Sequence, residues 1–231
     1  MTQTLGIIHT SPTLTPLFTR LCKAEMPEVQ VFHMVDETLI KDTVRTGHLR
    51  RLTMRRLITQ IESAVQAGAD AVMVTCSSIG PGVALAQQLF DTPIIRVDEA
   101  MAEQAVRLGT RIGVAATLRT TLEPTIALLR QKAEQAGRRI ELVPSLCHGA
   151  FDAVLAGDTA THDRILSEAL VTDMKDVDLV VLAQASMARV VHAMPPGMLR
   201  APVMSSPELA VRQARDVLAR AEHGALAGAR A

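Results

Sequence analysis

Cys76 is the residue in this chain best placed to do chemistry. It stands in the run Ala69-Asp70-Ala71-Val72-Met73-Val74-Thr75-Cys76-Ser77-Ser78-Ile79-Gly80-Pro81-Gly82. Residues 71–74 are uninterruptedly apolar, the mark of a short strand buried on both faces. A Gly-Pro-Gly turn and a helix-like run over 83–89 follow. A cysteine at the carboxyl end of such a strand, just before a helix, lies where open α/β sheets bind ligands. The free N–H groups of the helix start would hold anions and favour thiolate. The competing reading is a cysteine that only fills core space.

Other residues could contribute donors or a proton. Thr10 and Ser11 follow the first strand, Ser77 and Ser78 follow the cysteine, and Thr117 opens a hydroxyl-rich turn. Gln184, Ala185 and Ser186 end a later buried strand, and Cys147 with His148 ends another. The seven histidines lack metal-ligand spacing, so no metal is expected, and His162-Asp163 reads as a helix start. No Gly-x-Ser-x-Gly elbow, Gly-x-Gly-x-x-Gly fingerprint or phosphate loop occurs, which leaves no signal for a nucleophilic serine or a dinucleotide. Asp36-Glu37 and Asp98-Glu99 read as loop acids or helix starts.

Composition narrows the function classes. The 231 residues are 48% hydrophobic and 21% charged with a formal net charge of +0, which argues against nucleic acid as the main partner. Trp and Tyr are absent and Phe numbers 4, leaving few platforms for stacking bases. No apolar run is long enough for a membrane span, and Met1 leads into a strand without a basic leader. Three widely spaced cysteines argue against a disulfide framework, and a cytoplasmic protein is expected. Arg50, Arg51, Arg55 and Arg56 on the helix 49–67 read as a solvated face. A second copy could pair on that helix, and a homo-oligomer is carried as an open expectation.

The elements that must position these residues repeat. Strands are expected at 5–8, 29–34, 71–74 and 93–97, and again at 111–116, 140–143, 177–183 and 202–204, with helices between. Gly6 matches Gly113 (113 − 6 = 107), Cys76 matches Gln184 (184 − 76 = 108), and Pro93 matches Pro202 (202 − 93 = 109). The fold expected is α/β with two pseudo-symmetric lobes, each a parallel four-stranded sheet flanked by helices. Residues 1–98 with 203–231 would form one lobe and 99–202 the other, with the active site in the cleft between them. The tail from Gly224 is expected to fray.

Over nearly its whole length the chain resembles the aspartate/glutamate/hydantoin racemase superfamily, whose two lobes each supply a cysteine. Val72-Met73-Val74-Thr75-Cys76-Ser77-Ser78 is similar to the first cysteine motif, and Val180-Val181-Leu182-Ala183-Gln184-Ala185-Ser186 to the second. Gln184 stands where the second cysteine belongs. Gly6–Ser11 and Gly113–Thr117 are similar to the carboxylate-binding loops. The resemblance implies a cofactor-independent isomerase that moves a proton at the α-carbon of a small carboxylate or amino acid. Cys76 would be its acid/base, with Thr10, Ser11, Ser77, Ser78, Thr117, Gln184, Ala185 and Ser186 as substrate contacts.

Glutamine neither gains nor loses a proton near neutral pH, so the departure at Gln184 opens alternatives. Cys147 or His148 could replace the missing acid/base. A single cysteine could serve decarboxylation of a malonate-type acid, as in the related arylmalonate decarboxylases. Thiolate addition to an unsaturated diacid, as in the related maleate isomerases, is a third route. A non-catalytic protein that binds small carboxylates is the alternative of another class.

Overall fold

The computed structural model describes residues 2–228, and side chains as far as residue 221. The chain divides into two compact units, Met1–Val97 with Pro207–Ala231, and Asp98–Ser206.

In the first unit β1 (Thr4–His9), β2 (Gln30–Val35), β3 (Ala71–Val74) and β4 (Ile94–Arg96) form a parallel sheet in the order β2-β1-β3-β4. Successive strand residues face opposite sides. Leu5, Ile7, Ala71 and Met73 therefore pack with Phe18 and Cys22 of α1 (Thr15–Glu25) and Ala210, Val211 and Ala214 of α10 (Ser206–Gly228), helices being numbered in chain order. Ile8, Val72 and Val74 pack on the other face with Leu39 of α2 (Glu37–Thr46), Leu57 and Ile61 of α3 (Arg51–Gln66) and Val83 of α4 (Gly80–Ala86).

The second unit repeats the plan. β5 (Arg111–Ala116), β6 (Glu141–Leu146), β7 (Leu179–Leu182) and β8 (Val203–Met204) form a parallel sheet in the order β6-β5-β7-β8. Its helices are α5 (Glu99–Leu108), α6 (Arg119–Gln135), α7 (Ala150–Leu155), α8 (Thr159–Thr172) and α9 (Ala188–Ala193). The repeat holds in register: Gly6 lies opposite Val72 and Gly113 opposite Val180, while Val72 pairs Ile94 and Val180 pairs Val203. That last pairing corrects one expectation. Because β8 is hydrogen-bonded to β7, residues 203–206 go with the second unit, and the first resumes at Pro207.

Two features of the repeated motifs are structural. Asp70 accepts a hydrogen bond from the Thr4 N–H at 2.7 Å, and Asp178 accepts from the Thr110 and Arg111 N–H groups at 2.7 and 2.8 Å. Each ties down the start of the neighbouring strand, at the far end of β3 or β7 from residues 76 and 184. A Cβ on Gly6 would meet Phe32 Cζ at 2.9 Å and the Cβ atoms of Ala64 and Ala69 at 3.3 Å, so this glycine lets a helix approach the strand.

Several elements differ from expectation. α2 was not expected. Asp36 caps it by accepting from Thr38 N–H at 2.9 Å, and Gly47 ends it at φ 72°, so Asp36 is a helix start. Asp98 likewise directly precedes α5. The arginine run is the solvated face expected: Arg51, Arg55 and Arg56 are exposed, Arg56 pairs with Asp36 at 2.6 Å and Arg50 with Asp42 at 2.5 Å. α7 and α9 were also missed; both are only six residues long. α10 continues to Gly228, past the expected end near 222, while residues 229–231 of the expected frayed tail lie outside the described residues. No described helix is long and apolar enough to cross a membrane.

Candidate active-site loops

In the first unit the candidate loops follow the ends of β1 and β3. Cys76 directly precedes a three-residue 3-10 turn, Ser77–Ile79, which runs into α4. The residue is half-buried. The hydroxyls of Thr10 and Ser78 and the N–H groups of Ser78 and Ile79 favour its thiolate form, and the Ile79 N–H donates to the Cys76 carbonyl at 3.3 Å. Thr10, Ser77 and Ser78 are buried. Ser11 caps its own 3-10 turn, accepting from Thr13 N–H at 3.4 Å. Beneath the turn lies the buried guanidinium of Arg96, and a Cβ on Gly80 would fall 2.4 Å from its Cζ.

The electrostatics differ from the expectation of a resting thiolate. Burial pushes the Cys76 thiol up from its ordinary value, and the four donors offset this only in part. The group rests as S–H and has hydrogen-bond donors in place for the anion it becomes on losing the proton.

The second unit builds the same loop around a different residue. Gln184 also precedes a three-residue 3-10 turn, Ala185–Met187, which runs into α9. Its backbone, φ −132° and ψ 133°, matches that of Cys76, φ −131° and ψ 112°. Thr117, after β5, corresponds to Thr10, after β1. Its N–H and hydroxyl donate to Gln184 Oε1 at 2.7 and 3.0 Å. A backbone N–H can only donate, so the amide carbonyl faces Thr117 and the NH2 is left as a donor for other partners. Ala185 is half-buried and Ser186 exposed.

The structure brings Thr10, Ser77 and Ser78 around Cys76, and Thr117 onto Gln184. It does not offer Cys147. That residue is 2% exposed, sits in the core with Ala115, Leu166, Leu170 and Leu182, and burial drives its thiol to about 11. A second acid/base drawn from Cys147 is therefore corrected to a packed core cysteine. His148 lies exposed on the turn before α7. His162 is buried in the first turns of α8 beside Asp163 at 2.8 Å, and Asp158 caps that helix. Among the described residues no group of three or more His, Cys, Asp or Glu could hold a metal ion.

Two kinds of residue escaped the sequence reading. Thr15 and Thr120, at the first turns of α1 and α6, keep buried hydroxyl oxygens with no protein partner. His9, fully buried at the end of β1, hydrogen-bonds Thr75 next to the cysteine. An alternation of 5, 7 and 9 on the buried face of β1 was the available signal for His9.

Comparison with known proteins agrees with this geometry. The profile of the family described as Asp/Glu/Hydantoin racemase matches residues 5–214. No curated protein matches the sequence. Among solved structures, a glutamate racemase of Bacillus anthracis superposes with a TM-score of 0.74 at 16% identity, covering 94% of this chain and 82% of that one. The glutamate racemase of Francisella tularensis in complex with D-glutamate gives 0.75 at 14% identity, covering 96% and 82%. The allantoin racemase of Klebsiella pneumoniae gives 0.67 at 20% identity, covering 95% and 89%. At these identities the structural likeness speaks to fold, and the profile, spanning most of the chain, to family. The chain belongs to the Asp/Glu/hydantoin racemase family.

Proposed function

We propose that this protein is a racemase-type isomerase that moves the proton on the α-carbon of a small carboxylate or amino acid, with Cys76 as its acid/base. The observation that carries the reading is the place of Cys76, half-buried between the carboxyl end of β3 and a 3-10 turn, where the Thr10 and Ser78 hydroxyls and neighbouring N–H groups favour its thiolate. A carbon acid next to a carboxylate loses its proton only if the base is poised and the enediolate oxygens find donors. The four donors lower the cost of forming thiolate as the proton arrives or leaves. Thr10, Ser11, Ser77, Ser78, Thr117, Ser186 and the backbone at Ala185 are the proposed substrate contacts. The NH2 of Gln184 is the proposed donor to a carboxylate oxygen.

Gln184 favours a second reading. It has no titratable proton, so chemistry limited to one face of the α-carbon suits this chain. Loss of CO2 from a malonate-type acid followed by protonation from Cys76 is such a reaction. One experiment decides between them. Aspartate, glutamate, hydantoins and substituted malonates are incubated in D2O with the wild type and with Cys76→Ser. Deuterium entering Cα, reduced about 10²–10⁴-fold in the variant, is the expected result. Release of CO2 from a malonate would move the assignment to the decarboxylase. Undiminished exchange in Cys76→Ser would end the role given to the sulfur, and binding without any turnover would leave a carboxylate-binding protein.

A further inference from the structure

Four side chains line up behind the Cys76 loop. Leu5 and Ile7 of β1 and Val31 of β2 face α1, and by the same alternation so do His9 and His33. The two rings stack with centroids 5.1 Å apart, and Phe18 of α1 lies 5.6 Å from His9. His9 Nδ1 is 2.9 Å from Thr75 Oγ1, His9 Nε2 is 2.9 Å from His33 Nδ1, and His33 Nε2 is 2.8 Å from Thr19 Oγ1. At the ends, Thr19 Oγ1 reaches Thr15 O at 2.9 Å and Thr75 Oγ1 reaches Ile8 O at 3.3 Å. Thr19 is exposed, whereas His9 and Thr75 are buried.

Counting protons along this row is informative. Five contacts need five protons, but two hydroxyls and two neutral imidazoles bring four. A neutral row therefore leaves one contact without a proton, and in two settings that contact is at an end, so that no ring nitrogen faces a second lone pair. In one, Thr75 donates to His9, His9 Nε2–H to His33, His33 Nε2–H to Thr19, and Thr19 to Thr15 O. In the other every bond reverses, both rings carry the proton on Nδ1, and Thr75 donates to Ile8 O. The contact to Ile8 O is the longest, and that carbonyl already accepts the Thr75 N–H at 3.0 Å, so the first setting is the resting one. One added proton satisfies all five contacts at once. A second would set N–H against N–H between the rings. Burial holds both imidazoles below their ordinary value, His9 at about 4, so the added proton is transient.

We infer that Thr19, His33, His9 and Thr75 form a proton relay from solvent at α1 to the residue that precedes Cys76. A proton taken up at His9 Nδ1 moves the Nε2 proton to His33 Nδ1, and the His33 Nε2 proton leaves through Thr19 to water. That transfer leaves both rings protonated on Nδ1, the second setting, and from it the reverse sequence brings one proton in and restores the first, with no net charge left behind. His9 and His33 are positioning residues that act through Thr75. The relay rests on the proposed role of Cys76 only for the use made of the proton. A lone ionisable sulfur that protonates a carbon must be reset from water, because Gln184 cannot supply the proton.

The test uses the full chain, without substrate, carrying ¹⁵N-labelled histidine. Exchange of the His9 ring N–H with water is measured by NMR in the wild type, Thr19→Val, Thr19→Ser and His33→Gln. A fully buried ring N–H without a relay is protected. Expected are rapid exchange in the wild type and in Thr19→Ser, and exchange at least tenfold slower in Thr19→Val and His33→Gln, with the amide spectrum of Thr19→Val retained. His33→Gln can both donate and accept but cannot shift a tautomer. Equal exchange in the wild type and Thr19→Val, or a wild-type ring proton as protected as in His33→Gln, overturns the relay. The D2O panel separately decides the role of Cys76.

Discussion

Gln184 Oε1 accepts both the N–H and the hydroxyl of Thr117, at 2.7 and 3.0 Å, in the loop where the first unit sets the Thr10 hydroxyl against the Cys76 sulfur. The scaffold is thus kept in the second unit while the proton-carrying atom is not. The glutamine also has a structural duty, since without it the Thr117 N–H loses its acceptor.

That duty separates two substitutions. Gln184→Leu removes the acceptor and strands the Thr117 N–H, at a cost of about 1–3 kcal/mol. Gln184→Glu keeps an oxygen facing the same two donors and is expected to unfold within about 1 kcal/mol of the wild type. In activity the order reverses against a carboxylate substrate. Gln184→Glu sets negative charge beside it and should raise KM at least tenfold. Urea denaturation and initial rates on both variants check this.

The histidine row makes stability fall on mild acidification. His9 is lowered from 6.5 to about 4 in the fold, so between those values the unfolded chain binds a proton that the folded chain refuses. Stability is complete above about pH 6.5 and is lost as pH falls toward 4. Allowing for the titration His9 shares with His33, the loss is about 2 kcal/mol. His9→Gln should flatten urea stability across this window. A wild-type curve that is level from pH 7 to 4.5 would contradict the assignment.

Much of the architecture was legible because duplication doubles each signal. The strings around Cys76 and Gln184 differ in their reactive atom yet share strand, 3-10 turn and helix, so matching them placed both loops and with them Thr10 and Thr117. Other parts were not legible. Cys147 also follows a strand, but what decides its role is the packing of Leu166, Leu170 and Leu182 around it, which no local pattern encodes. His9 and His33 are 24 residues apart in sequence and meet only because β1 and β2 are paired in register. α2 was readable in retrospect from a capping Asp36 and a closing Gly47; the Asp36-Glu37 pair drew attention as charge instead.

The cysteines should separate by reactivity. Cys22 is 1% exposed with its thiol at about 11, and Cys147 is similar, whereas Cys76 is half-buried. Iodoacetamide on the native protein is expected to label Cys76 ahead of the other two, as read by peptide mass spectrometry. Because burial also raises the Cys76 thiol, the labelling rate should be below that of a free thiol at pH 7 and still climbing above pH 9. Fast labelling at pH 7 with a plateau below pH 8 would mean a resting thiolate instead.

Equivalent glycines should respond unequally to the same change. An added Cβ at Gly6 meets Phe32 at 2.9 Å and two alanine Cβ atoms at 3.3 Å, and those alanines can yield only if α3 and the turn after it move. At Gly113 the worst overlap is with Met174 Sδ at 2.3 Å, and a methionine side chain can change rotamer. Gly6→Ala is therefore expected to cost about 1–3 kcal/mol by overpacking, and Gly113→Ala less, despite the shorter distance. Thermal unfolding of the two single variants decides it. A larger loss for Gly113→Ala would show that Met174, only 3% exposed, has no alternative rotamer available in its core.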